Sequence, residues 1–239
     1  MDKLGYDYQN IEKDYYRKVI RNKDARSRWH LSKFNFAIKQ PETNITGVLD
    51  IGSGPGVFLE FFDQNIKLFG YDIAHKQLEA GKNALPDTIF TSDLDFLVTK
   101  HAQISHIFSI ELIEHINKEN LENIMLAISK IIKLRSKMGL ETFLYFTTPN
   151  YSSLWPIIEV FVDFFTKMNY REQHISKYNP KTLKDIIKNE LIKNNIKPKV
   201  IEVGTFMGFS WISKYFKSLD FILIKLLNKG HLCYLKIQA

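Results

Sequence analysis

The sequence predicts an α/β fold: a doubly wound, seven-stranded, mostly parallel sheet with helices on both faces and helical inserts lying over one end as lids. Three observations carry this expectation. From Gly47 onward short β-like runs alternate with helical stretches, and such alternation with short connections implies right-handed crossovers and parallel strands. A glycine triplet follows the first strand directly, in VLDIGSGPG. The length, 239 residues with 45% apolar side chains, suits one large domain at roughly 100 to 200 residues per domain and is ample for a single core.

In chain order, residues 1–40 are charged and aromatic, with helical spacing in Tyr15, Val19 and Ile20 and again in Trp29, Phe34 and Phe36, before Pro41 stops the pattern. They are expected to form an N-terminal helical cap, with 41–239 as the main domain. Strands are expected at 48–51, 67–73, 88–92, 105–110 and 141–148, and helices at 57–64, 74–84, 93–101 and 117–134. After Pro149 the rhythm changes to an apolar stretch (154–168), a polar link (169–179), a helix over 181–194, and strands near 198–207 and 231–238. If the last two strands pair antiparallel at the sheet edge, the sheet has seven strands. The inserts, 154–180 and 208–228, then lie over its carboxyl ends, where open α/β sheets bind ligands.

Composition excludes several classes. The chain is neither collagen-like nor compositionally disordered, and it shows no repeat. Its single cysteine, Cys233, cannot form an internal disulfide or a cysteine zinc site, which points to reducing cytoplasm. No stretch reaches the ~20 apolar residues of a spanning helix, and the N-terminus lacks a signal-peptide core. A net charge of +7 leaves nucleic acid, anionic lipid or a charged small molecule open as partners.

The strongest signal is VLDIGSGPG: an apolar strand, Asp50, then Gly52, Gly54 and Gly56 at alternating positions. Glycine lets a ligand lie directly against the main chain, although a tight strand-to-helix turn needs glycine too. Asp72 ends the second strand about 20 residues past the loop, where a carboxylate can accept both hydroxyls of a ribose; alone it could be a loop acid or a helix cap. The third glycine of a dinucleotide fingerprint would fall at Val57 and is absent, which argues against NAD and FAD. Asp93 in TSDL can reach an adenine amino group or cap the helix starting at Leu94.

Taken together, VLDIGSGPG, the strand ending in Asp72, SDL at 92–94 and SHIFSIELIEHI at 105–116 resemble the successive motifs of class I S-adenosylmethionine-dependent methyltransferases, whose fold is Rossmann-like. The resemblance covers roughly residues 45–150, and TTPNYSSLW and HLCYLKI extend it loosely. It implies that Asp50, Gly52, Ser53, Gly54 and Gly56 surround the methionine part of the cofactor and Asp72 holds the ribose. It further implies that Ile73 and Leu94 sandwich the adenine with Asp93 at its amine, and that Ile110 and Glu111 close the pocket near the sulfonium.

Methyl transfer from a sulfonium is an in-line displacement, so alignment and a base for the acceptor proton are the terms an enzyme supplies. In SIELIEHI, Glu111, Glu114 and His115 sit at the carboxyl end of the fourth strand and are the candidate catalytic residues. Three readings stay open. Glu114 and His115 cap the next helix; or His115 deprotonates a hydroxyl while Glu114 or Glu111 orients it; or E-x-x-E-H holds a divalent ion that lowers the hydroxyl pKa. The last resembles the magnesium set of small-RNA 2′-O-methyltransferases, with His174 as the later histidine, whereas ELIEHI is also similar to ubiquinone-biosynthesis O-methyltransferases. The [DNS]-P-P-[YFW] motif of base amino-methyltransferases is absent, as is the Pro-Cys of cytosine-C5 enzymes.

The first insert reads as an amphipathic helix with Trp155, Ile158, Val162 and Phe165 on one stripe, interrupted by Glu159 and Asp163; the second sets Lys214, Lys217 and Lys225 among large apolar residues. They are lids over the cleft, or they form an apolar acceptor tunnel or rest on a membrane surface. Arg26, Arg28, Trp29 and His30 could close the opposite side. The resulting expectation is O-methylation of a small, hydrophobic metabolite. An RNA methyltransferase ranks second, for want of a basic run with interleaved aromatics beyond residue 40, and a cofactor-binding protein without catalysis third.

Overall fold

Apolar side chains of alternating orientation fix the sheet first. In a computed structural model that describes residues 15–41, 43–166, 170–210, 212 and 214–239, seven strands form one sheet: β1 (Gly47–Ile51), β2 (Lys67–Tyr71), β3 (Ile89–Thr91), β4 (His106–Ile110), β5 (Phe143–Pro149), β6 (Val200–Phe206) and β7 (Leu232–Gln238). Their order is β3-β2-β1-β4-β5-β7-β6. The first five are parallel, and β7 runs antiparallel between β5 and β6. The mostly parallel, seven-stranded sheet is therefore as the alternation predicts.

Strand period two divides the core between the two faces. On one face Leu49, Ile51, Phe69, Ile107 and Leu144 pack against α4 (Leu94–Thr99), α5 (Lys118–Lys137) and α8 (Pro180–Lys193). On the other, Val48, Leu68, Phe90, Phe108 and Tyr145 pack against α2 (Ala25–Ala37) and α3 (His75–Ala84). Asp24 opens α2 as its cap, accepting from Ser27 N at 2.7 Å, and Asn117 does the same for α5. Pro180 follows the Asn179 cap of α8, a favoured first helical position.

Three local expectations need correction. The stretch 57–64 is a chain of turns with one 3₁₀ turn, Leu59–Phe61. Its bonds run three residues back (Gly56 N to Ser53 O, Leu59 N to Gly56 O, Phe62 N to Leu59 O), which lets Phe58, Leu59 and Phe62 all reach the core. The helix expected over 93–101 ends at Thr99 and gives way to a 3₁₀ turn, His101–Gln103. The second insert is not one helix. It is a 3₁₀ turn (Lys214–Phe216), α9 (Lys217–Phe221) and a π turn (Ile222–Leu226), anchored where the Asp220 carboxylate accepts from Ser210 N at 2.8 Å and from Phe209 N.

The first insert holds α6 (Trp155–Thr166) and a short α7 (Tyr170–Gln173). Within the N-terminal forty residues, α1 (Tyr15–Arg21) precedes α2. Arg17 ties α1 to the glycine loop, donating to Pro55 O at 2.7 Å and pairing with Glu60 at 2.6 Å. The expectations for residues 1–14, 167–169 and Trp211, and for the side chains of Phe165 and Lys214, lie outside the described residues. Among the described residues no helix is long and apolar enough to cross a membrane.

Candidate active site

A cleft of about 750 Å³ opens at the carboxyl ends of β1, β2 and β4, walled by the glycine loop, the end of β4, α2 and α6. Gly52, Gly54 and Gly56 all take left-handed φ, +80°, +51° and +78°, as their spacing implies. The three do different work. A side chain on Gly52 would strike Leu112, and one on Gly56 would strike the Phe90 ring at 2.5 Å, whereas one on Gly54 would meet nothing within 4 Å. Gly54 is thus the point where bare main chain faces open space.

Asp72 holds this loop in place. Its Oδ2 accepts from Gly54 N and its Oδ1 from Ala74 N, both at 2.8 Å. The Ile73 backbone N–H adds a third bond to the same carboxylate, which has about four lone-pair sites and lines the cleft. Burial raises the Asp72 carboxyl, against the lowering by these backbone bonds. Asp50, beneath the loop, is pushed up to about 8 by burial and then by Asp72, so at neutral pH it carries its proton. Ser53, Ile73 and Ile110 also line the cleft. Gly56 sits behind the wall against Phe90 and Leu85. Asp93 and Leu94 are not on the wall: Asp93 is exposed and caps α4, accepting from Phe96 N at 3.0 Å, while Leu94 packs on the core.

The segment after β4 brings Glu111, Glu114 and His115 into the same cleft. Glu111 occupies left-handed φ, +53°, a conformation with a real cost for a side chain of this length. It is held by its amide on Thr147 O (3.1 Å) and by the Thr147 hydroxyl donating to Oε1 (3.0 Å). Glu114 is fully buried; Thr148 donates to its Oε2 at 2.9 Å, and its Oε1 lies 3.9 Å from His115 Nε2. His115 Nδ1 is 3.0 Å from the Gln173 carbonyl. A carbonyl only accepts, so Nδ1 carries the hydrogen and Nε2 presents its lone pair. Burial and then His174 lower His115 to about 3, while burial and then Glu111 raise Glu114 well above the carboxylate range.

Neither Glu114 nor His115 caps α5; Asn117 does that. His174 joins the cluster through the insert, its ring 4.7 Å from that of His115. Ligand atoms of Glu114, His115 and His174 fall within 4.8 Å of one another. Glu111 is outside this set, so the four-residue magnesium arrangement does not form. Two imidazoles with a single carboxylate suit magnesium poorly, since that ion demands hard oxygen ligands and retains water.

Two features of the site escaped sequence reasoning. Glu159, read as an interruption of an apolar stripe, is buried and gathers Trp155 Nε1 (2.7 Å), the Tyr151 hydroxyl (2.5 Å) and His174 Nδ1. Those donors hold its carboxyl below the usual range although burial alone would raise it. On α2, Arg26 and His30 face the cleft on the side expected for them, and the missed residue is Lys33, which shares their stripe; the i, i+4, i+7 spacing was the available signal. Lys33 is buried, and among the described residues its ammonium makes no hydrogen bond or ion pair, resting 5.7 Å from the Phe34 ring. Burial lowers it, opposed by Glu111 and Glu114. Trp29 stacks on Trp155 at 5.0 Å, joining α2 to α6 across the cleft mouth.

Comparison with known proteins supplies the family. A family model described as a methyltransferase domain matches residues 21–190. Among solved structures, the chain is similar to a SAM-dependent methyltransferase from Archaeoglobus fulgidus (18% identity, 89% of this chain and 94% of that chain, TM-score 0.58). It is also similar to the methyltransferase domain of bacterial CtHen1 (14%, 88% and 97%, 0.58) and to the plantazolicin methyltransferase BamL in complex with a triazolic desmethylPZN analog and SAH (17%, 96% and 89%, 0.56). A sequence search of curated proteins gives no match. At these identities the structural likeness speaks for the fold, and the match of the family model over most of the chain for the kinship: the chain belongs to the methyltransferase-domain family.

Proposed function

We propose that the chain is an S-adenosylmethionine-dependent methyltransferase that methylates an oxygen of a small, hydrophobic acceptor. The observation that carries this reading is the meeting, in one cleft, of bare main chain at Gly54 clamped by Asp72 with the Glu114–His115 pair. The residues present fit the donor. Gly54 leaves room for a ligand against the backbone, Asp72 sets a carboxylate on the cleft wall for ribose hydroxyls, and Ile73, half exposed, offers an apolar face to an adenine. The volume lies within the usual range for ligand pockets of about 300 to 1,000 Å³ and accommodates donor and acceptor together.

Held by Gly54, Asp72 and Ile73, a sulfonium donor would supply an activated methyl group for displacement by the acceptor oxygen, with the thioether as the leaving group. The chain's own part is alignment, exclusion of water and proton removal. Glu114, whose carboxyl is raised by burial and then by Glu111, is the stronger base of the pair. His115, depressed to about 3, accepts a hydrogen bond at Nε2 and orients the acceptor hydroxyl. This reverses the roles that the motif suggested. The Tyr151–Glu159–His174 network holds His174, and the Gln173 carbonyl next to it holds His115. Trp155, Ile158 and Val162 of α6 provide the apolar acceptor wall.

The test is transfer of labelled methyl from S-adenosylmethionine to a panel of hydroxylated apolar compounds, with a short RNA as a competing acceptor class. The reading expects transfer to the first set, abolished in Asp72→Ala. Transfer only to RNA, or to amines alone, overturns the acceptor assignment, and no binding of the donor overturns the reading as a whole.

A further inference from the structure

The two inserts leave the sheet at one place. Pro149 of β5 pairs with Leu232 of β7, which pairs with Phe206 of β6, so segments 150–180 and 207–231 spring from adjacent strand ends. Their roots are tied: Asn150 N donates to His231 O and Asn150 Nδ2 to Gly230 O, both at 2.8 Å, and Lys229 Nζ donates to Ser152 O at 2.6 Å.

A surface helix of a globular protein ordinarily buries one apolar stripe and shows water a polar face. α6 does not. Its inner side lines the cleft, while on its outer side Ile157, Val160, Phe161 and Phe164 are exposed, Phe164 by 80%. Both acids of α6 are engaged elsewhere, Glu159 in its buried network and Asp163 with Arg171 at 3.2 Å. The second insert continues the pattern with exposed Tyr215, Phe221, Leu226 and Leu227. Its one acid between 207 and 231, Asp220, is buried and spent on backbone N–H groups, whereas Lys217, Lys225 and Lys229 are exposed. Exposed apolar side chains gathered on a folded surface mark an interaction site, and among the described residues every exposed charge of the second insert is positive.

We propose that these inserts form one docking surface for an anionic lipid bilayer. The apolar side chains of α6 and of 215–227 seat at the head-group boundary, and Lys217 and Lys225 meet the lipid phosphates. A second copy of the chain fits the charge less well, because a two-fold contact would set the lysine cluster near itself with no exposed acid of 207–231 to pair with it. The surface goes beyond the reaction proposed for the cleft. Since α6 is at once the cleft's apolar wall and the docking helix, it would let an acceptor dissolved in the bilayer reach the site.

The experiment is co-sedimentation of the full chain with vesicles of phosphatidylcholine alone and of phosphatidylcholine mixed equally with phosphatidylglycerol. Wild type is expected to pellet with the mixed vesicles, and to be released by high salt. The double variant Lys217→Glu/Lys225→Glu should bind more than tenfold more weakly, each lysine near an anionic surface being worth about fivefold. Phe161→Glu/Phe164→Glu should abolish binding. These positions are exposed, so circular dichroism and melting temperature should match wild type in both variants. Wild type remaining in the supernatant with mixed vesicles overturns the proposal. So does light scattering that shows a dimer dissolved by Phe161→Glu/Phe164→Glu, in a chain that does not pellet. Calorimetry with S-adenosylhomocysteine on the same preparations reads the cleft separately: ligand binding without pelleting sinks only the docking surface, and pelleting without ligand binding sinks only the donor assignment.

Discussion

Replacing Gly54 and Gly56 by alanine, one at a time, separates a glycine that serves the fold from one that serves a ligand. Both hold left-handed φ, which costs an alanine about 1–2 kcal/mol. At Gly54 that is the whole cost to stability, because the new methyl meets nothing within 4 Å. At Gly56 the methyl lands 2.5 Å from Phe90 Cζ and 2.9 Å from Cε1, and Phe90 is buried. Overpacking adds to the backbone strain, for about 2–5 kcal/mol in all. Urea unfolding should therefore rank Gly56→Ala well below Gly54→Ala in stability. Calorimetry with S-adenosylhomocysteine should give the opposite emphasis: Gly54→Ala, still folded, loses at least tenfold in affinity because its methyl stands where the ligand lies. A Gly54→Ala protein that binds as wild type, or that unfolds like Gly56→Ala, refutes the reasoning.

Three further outcomes follow from the buried titratable groups. Asp50 carries its proton up to about pH 8 in the fold but only to about 3.9 unfolded, so the stability it contributes is full in acid and falls as pH rises toward 8. Asp50→Asn cannot ionise, and its unfolding free energy should gain on wild type by about 1.4 kcal/mol per pH unit between pH 5 and 8; parallel profiles would contradict the raised carboxyl. Glu114→Gln should lower kcat by about 10²–10⁴-fold while S-adenosylhomocysteine binds as before, whereas an unchanged kcat removes Glu114 from the proton path. Glu159→Ala strands the donors of Trp155, Tyr151 and His174 and should cost about 3–5 kcal/mol. Because the Glu159 carboxyl is lowered in the fold, its contribution is present above the ordinary carboxylate range and lost as pH falls, so the wild-type and variant profiles should converge in acid.

Much of this architecture is written locally. The strands are short apolar runs bounded by turn residues, and the glycine spacing with Asp72 at the next strand end places the loop and its clamp without tertiary information. What a local pattern cannot show is which bonds a polar group finally makes. Asp93 stands at the end of a strand in a position that suits an adenine, yet its carboxylate is used on Phe96 N–H as a helix cap. Phe58, Leu59 and Phe62 have helical spacing, but a left-handed Gly56 ahead of them starts a series of tighter turns. Glu159 reads as a flaw in an apolar stripe because two of its three partners come from 8 and 15 residues away in sequence. Lys33 reads as one surface lysine among many, and only the folding of α2 over the cleft makes it buried and sets it in the field of Glu111 and Glu114.

The central claim is that the loop at Gly54 and the carboxylate of Asp72 receive an adenosyl donor. A crystal structure of the chain grown with S-adenosylhomocysteine tests it most directly. The account predicts the ribose hydroxyls within hydrogen-bonding distance of Asp72, the adenine against Ile73 and the sulfur directed toward Glu114 and His115. Density for the ligand elsewhere, or ribose hydroxyls turned away from Asp72, would contradict it.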